Sequence, residues 1–170
     1  MDSLVFDTSA LLNFGHRGEL AVVLKKLSGE YKILTTTGAQ NELTDPKRKV
    51  YYAEFLRTHF TIHNPATTPF DVATLARLSR ILDQGEISVM TVAAELKGIA
   101  VLDERAARRE AKILKLEFTG TLGLLHQSLQ RKWLTETDCL ARVVKLCDAG
   151  FALPRPNTGQ SFADYLAAIE

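Results

Sequence analysis

Cysteine, tryptophan, proline and long apolar runs are all scarce in this chain, and each scarcity excludes something. The two cysteines, Cys139 and Cys147, stand eight residues apart in a helical pattern. At about 1.5 Å of rise per residue that separation is roughly 12 Å, too far for a disulfide. No further thiol or imidazole has compatible spacing, so a thiolate metal site is excluded too, and both read as small core residues of a cytoplasmic protein. No apolar run approaches the roughly 20 residues needed to span a bilayer, and no membrane partner is expected. The N-terminus lacks a basic region followed by an apolar stretch, so no secretory signal is expected either. A surplus of one charge sign is also missing: 21 Lys and Arg face 20 Asp and Glu, for a formal net charge of +1. Nucleic-acid binding would therefore have to rest on local patches rather than on bulk charge.

What remains is an ordinary globular composition, 46% hydrophobic over 170 residues, enough for one domain with a sizeable core. Among the five prolines, Pro154 and Pro156 mark the single linker-like stretch, Leu153 to Gly159. The expected organisation is a domain over residues 1–150, with a linker and a short terminal helix (Phe162–Ile169) over 151–170. Inside the domain, short β-rich runs alternate with longer amphipathic stretches, the pattern of a parallel α/β sheet. The expected strands are Leu4–Phe6, Lys32–Thr35, Phe60–His63, Ile99–Leu102 and Glu117–Thr119. Helical spacing of apolar residues marks Glu19–Leu27 and a helix from Val72 that stops near Gly85. Further helices are expected over Glu86–Leu96, closed by a Lys97-Gly98 C-cap, over Arg105–Leu116, over Leu122–Leu129 and around Leu140–Cys147.

The acids fall at telling places. Asp7 ends the first strand, in Leu4-Val5-Phe6-Asp7-Thr8-Ser9-Ala10-Leu11-Leu12. Glu42 follows the second strand, Glu86 opens a helix after Gly85, and Asp103 ends the fourth strand. In a parallel sheet the strand C-termini and the helix N-termini after them share one edge. Four acids from distant sequence positions are thus expected in one cleft, where they repel one another unless a cation neutralises them. Oxygen-only ligands favour Mg²⁺ or Mn²⁺, and such an ion supports phosphodiester hydrolysis. Each acid also has a structural reading: Asp7 and Asp103 as helix caps, Glu86 as a partner of the helix dipole, and Glu42 as an ordinary surface glutamate.

The segments Phe6-Asp7-Thr8-Ser9-Ala10-Leu11-Leu12, Glu42-Leu43, Gly85-Glu86 and Val101-Leu102-Asp103-Glu104-Arg105 resemble PIN-domain motifs in the expected order, over roughly residues 1–125. The stretch from Asp103 to Ala111, followed by Gly120-Thr121-Leu122-Gly123, is similar to the prokaryotic branch related to VapC-type toxins. The resemblance implies a three-layer α/β/α sandwich around a mostly parallel four- or five-stranded sheet. It also implies Mg²⁺- or Mn²⁺-dependent cleavage of RNA, a toxin role beside a cognate antitoxin, and a homodimer. It carries over Asp7, Glu42, Glu86 and Asp103 as catalytic acids, with Asp7, Glu86 and Asp103 on the metal and Ser9 supporting Asp7. Glu86 departs from the aspartate common in the family, which leaves Asp83 and Glu104 as fallback ligands. The alternative is a PIN-like binding module whose acids no longer assemble a working site.

A negative cluster repels RNA, so cations must surround it. Arg105, Arg108, Arg109 and Lys112 fall at offsets of three, four and seven and form one helical stripe, suited to phosphate. With Glu110 alternating, the same stripe also reads as a solvated face. Lys47-Arg48-Lys49 with Tyr51 and Tyr52 is a second basic patch with stacking aromatics, or a turn leading into a surface helix.

Overall fold

Leu4, Val5 and Phe6 form a strand without polar alternation, the signature of one covered on both faces, and all of β1 (Ser3–Phe6) is buried. The computed structural model describes residues 1–43 and 46–169, with the side chains of 46–51 also outside the description. β1 is the centre of a five-stranded sheet with β2 (Lys32–Thr35), β3 (Thr61–Ile62), β4 (Ile99–Val101) and β5 (Phe118–Thr119), ordered β3-β2-β1-β4-β5. Every pairing is parallel, with Phe6 opposite Thr35 on one side and Val101 on the other. The chain winds outward from β1 through β2 and β3, then returns to the other side of β1 for β4 and β5. Strand order therefore reverses between β1 and β4, and the crevice beyond the C-termini of such a pair is where open α/β sheets take ligands.

Helices α1 (Thr8–Gly15), α2 (Ala21–Leu27), α3 (Thr37–Asn41), α4 (Pro46–His59), α5 (Val72–Leu78), α6 (Gln84–Leu96), α7 (Arg105–Ile113), α8 (Thr121–Gln130), α9 (Glu136–Asp148) and α10 (Phe162–Ala167) cover the sheet. This is an α/β fold around an all-parallel sheet. One continuous core joins β1, β4, α1, α2, α6, α8 and α9 and takes in Phe162 and Tyr165 of α10. The terminal helix thus packs back on the domain, and its Tyr165 hydroxyl donates to Pro154 O at 2.7 Å. Cys139 and Cys147 are both free thiols, Cys139 fully buried. Among the described residues no helix is long and apolar enough to cross a membrane.

Several element ends fall a residue or more from the sequence pattern, and two differences have clear local reasons. The helix from Val72 ends at Leu78 rather than near Gly85, because Asp83 starts α6 with a capping box of its own. The α6 C-cap is also not made by its glycine: Lys97 itself takes the left-handed conformation, at φ 50° and ψ 39°. Gly98 serves close packing instead, since a Cβ there would meet Ser3 O of β1 at 2.8 Å.

Candidate functional site

Asp7 leaves β1 in extended conformation and caps α1. Its Oδ2 accepts from the Ser9 amide at 3.4 Å and from the Ser9 hydroxyl at 2.9 Å. Cap and support therefore share one oxygen, and the other, Oδ1, is buried with no hydrogen-bond donor. Burial of the carboxyl, which is 2% exposed, pushes Asp7 up from 3.8 to about 6. The donors at Thr8 and Ser9 oppose this rise, and the nearby Asp83 charge adds to it.

Glu86 repeats the arrangement from the other side. At the third position of α6, its Oε2 accepts from the Asp83 amide at 3.1 Å while Asp83 Oδ1 accepts from the Glu86 amide at 2.8 Å. That reciprocal pair satisfies two helix-end donors. The remaining oxygen, Oε1, is buried and has no partner. Burial raises Glu86 from 4.5 to about 7, with Asp83, Asp7 and Glu104 adding like charge.

Two glycines let α3 approach the start of α6 closely enough to complete this corner. A Cβ at Gly38 would meet Ser88 Oγ at 2.7 Å, and one at Gly85 would meet Glu42 Oε1 at 2.5 Å. Glu42 consequently docks on the Gly85 amide at 2.8 Å, and its Oε2 accepts from the Thr8 hydroxyl at 2.6 Å. Burial raises Glu42, opposed by these two donors and reinforced by Asp83. Thr8 thus ties Glu42 to the residue that follows Asp7. Substituting Gly85→Ala is expected to expel the Glu42 carboxylate and destabilise the fold by about 1–3 kcal/mol, the usual cost of overpacking. Denaturant titration checks the stability, and cleavage assays on the folded variant check the site.

Asp103 is held differently. Its Oδ1 accepts from the Thr121 amide at 2.7 Å, and its Oδ2 accepts from the Thr121 hydroxyl at 2.5 Å and from Asn13 Nδ2 at 2.8 Å. Gly120 admits the carboxylate, because a Cβ there would lie 2.7 Å from Asp103 Oδ1. Asn13 and Thr121 hold one of the predicted acids, and the sequence reading did not single them out. The available signal was Asn13 itself, a polar residue among Ala10, Leu11 and Phe14 on the apolar face of α1, all three fully buried.

All four predicted acids therefore lie at the C-terminal edge of the sheet, at three levels of engagement. Asp7 and Glu86 share a corner and each keeps a bare oxygen, Glu42 is bonded beside them, and Asp103 is turned onto Asn13 and Thr121. Asp83 acts on Asp7, Glu42 and Glu86 alike, and Glu104 on Glu86. Among the described residues no three acid, histidine or cysteine side chains stand close enough to hold a metal ion by themselves. Two bare, buried carboxylate oxygens nevertheless fit Mg²⁺ or Mn²⁺, since Mg²⁺ characteristically takes one or two carboxylates and fills its other positions with water and substrate phosphate.

The cation stripe is exposed along α7 at Arg105, Arg108, Arg109 and Lys112. Arg108 lies 5.8 Å above the Phe118 ring. Glu110 does not alternate with these residues on a solvated face: it is 1% exposed and paired with Arg77 of α5 and Arg109. The second patch loses its best aromatic, because Tyr52 is 4% exposed and its hydroxyl donates to Leu12 O at 3.2 Å. Its Lys47, Arg48, Lys49 and Tyr51 side chains lie outside the described residues.

Comparison with known proteins adds one finding. A family model described as a PIN domain matches residues 3–159. No curated protein matches the chain.

Proposed function

The chain belongs to the PIN-domain family, whose members are generally nucleases, and from that premise we propose that it is a metal-dependent endoribonuclease hydrolysing RNA phosphodiester bonds. The observation that carries the reading is the pair of donor-less buried oxygens, Asp7 Oδ1 and Glu86 Oε1, beside the crevice where strand order reverses. Among the described residues no group donates to either oxygen, and a buried carboxylate oxygen without a partner is costly.

Asp7 and Glu86 would hold Mg²⁺ or Mn²⁺. When bound, the ion polarises a phosphate and lowers the pKa of an attached water. Every other part of the work falls to side chains. The Ser9 amide and hydroxyl occupy the second oxygen of Asp7 and leave Oδ1 without a donor. The capping box does the same for Glu86. Thr8 and Glu42 brace the corner. Asp103 Oδ1 accepts one hydrogen bond from the protein and keeps a lone pair that can orient an attacking water. Arg105, Arg108, Arg109 and Lys112 lie on the helix that opens two residues after Asp103 and would grip phosphates along the strand.

A toxin role within a type II toxin–antitoxin pair, a cognate antitoxin, a homodimer and a cytoplasmic site of action belong to the same proposal. The toxin role, the antitoxin and the dimer rest on the resemblance of the Asp103–Ala111 and Gly120–Gly123 segments, and the cytoplasmic site of action on the two unpaired cysteines. Induced expression is expected to arrest growth in wild-type form and not as Asp7→Asn.

The reading is tested by offering the protein labelled single-stranded RNA with Mg²⁺, with Mn²⁺ and with chelator. Cleavage that stops in chelator and returns with either ion supports it; cleavage that persists in chelator contradicts it. A second reading, an inactive PIN-like binding module, is favoured by one observation: among the described residues no three acids stand close enough to hold a metal ion by themselves. No cleavage, together with no metal-dependent rise in melting temperature, would select it.

A further inference from the structure

Asn13 stands in the wrong place for a merely polar residue. It is 4% exposed in the interior of α1, where an amide is costly unless it is bonded. Its Nδ2 donates to Asp103 Oδ2 at 2.8 Å and to Thr121 Oγ1 at 3.1 Å. The Thr121 hydroxyl, fully buried, gives its own proton to Asp103. The three side chains therefore close a triangle in which every proton has one direction. Only the amide nitrogen can face the carboxylate, which leaves Asn13 Oδ1 turned away, buried and without a partner.

That bare Oδ1 argues against a device built for stability, since a leucine would fill the space without an orphaned oxygen. The α8 N-terminus points the same way. Helices α3, α5, α9 and α10 take their caps from Thr36, Asp71, Thr135 and Ser161, each at its own N-cap position. At α8 that position is Gly120, which offers no side chain, and Asp103 from the end of β4 takes the Thr121 amide instead. A local cap would satisfy the helix equally well; only the longer-range arrangement fixes the Asp103 carboxylate.

We propose that Asn13 and Thr121 are positioning residues for Asp103, and that α1 acts as the gauge between Asp7 at its N-cap and Asp103 bonded to its sixth residue. The role rests on the nuclease reading for its consequence, not for its geometry. Partners that orient the acids of a metal site typically contribute about 10–100-fold to metal affinity or activity.

The experiment compares wild type, Asn13→Leu, Thr121→Val and Thr121→Ser, each also in an Asp103→Asn background. Asn13→Leu and Thr121→Val are expected to fold and to lose about 10–100-fold in kcat with little change in KM, while Thr121→Ser, which keeps the hydroxyl, retains activity. In the Asp103→Asn background Asn13→Leu is expected to add no further loss. A wild-type kcat in Asn13→Leu, or losses that multiply, would overturn the proposal. If wild-type protein cleaves no RNA, the nuclease reading fails separately. The proposal is then decided by the crystal structure of Asn13→Leu: a rotated Asp103 carboxylate supports it, and an unmoved one overturns it.

Discussion

Asp7→Asn is expected to abolish RNA cleavage while making the metal-free protein more stable at pH 8. The activity loss should exceed about 100-fold, the upper end of what even an outer partner of a metal site contributes, because Asn removes the charge that a cation needs. The stability gain follows from burial. Asp7 is raised from 3.8 to about 6, and two units correspond to about 3 kcal/mol at roughly 1.4 kcal/mol per unit. Below pH 4 the carboxyl is neutral in folded and unfolded chains alike, so burial brings no penalty. Between about 4 and 6 the unfolded chain ionises while the folded one keeps its proton, so stability falls as pH rises. Above about 6 the full penalty applies. Asparagine never ionises and escapes it, less whatever is lost in hydrogen bonding from Ser9. Urea titrations of the two proteins across pH 4–8 should therefore diverge as pH rises, with the variant the more stable. Parallel curves would mean that Asp7 has another compensating partner.

A divalent cation should reverse that pH dependence. Glu86, raised from 4.5 to about 7, extends the destabilisation of the metal-free protein toward neutrality by the same sign. Cation binding requires both carboxyls ionised and releases the protons they hold, so affinity grows as pH rises through about 6 and 7. At 100 times its dissociation constant, Mn²⁺ stabilises by about 2.7 kcal/mol, a shift of roughly 5–10 °C in melting temperature for a chain of this size. That shift is expected at pH 8, and little of it at pH 5. Glu86→Gln should remove most of it while leaving the fold intact, since Gln can still close the capping box with the Asp83 amide.

Much of the architecture was legible because the sheet is parallel and its strands are buried. The run Leu4–Phe6 and the exact bounds Lys32–Thr35 show in the pattern, as does the placing of Asp7, Glu42, Glu86 and Asp103 on one edge. What the pattern could not show is which oxygens are already taken. Glu86 at a helix N-terminus reads as either cap or ligand, whereas the structure divides the two roles between its oxygens. Gly85 reads as a helix stop and Gly120 as part of a family-like segment, but each clears space for a specific carboxylate. Asn13 sits in a helical apolar stripe, and its partners Asp103 and Thr121 lie 90 and 108 residues away. No local periodicity records a contact at that separation. The burial of Glu110 is hidden from the pattern for a related reason: its partner Arg77 belongs to another helix.

The most direct test is calorimetric titration of metal-free protein with Mn²⁺ at pH 8, beside Asp7→Asn and Glu86→Gln. Saturable binding is expected in wild type, with at least about a tenfold loss of affinity in each folded variant. Equal Mn²⁺ affinity in all three proteins would contradict the proposed metal site.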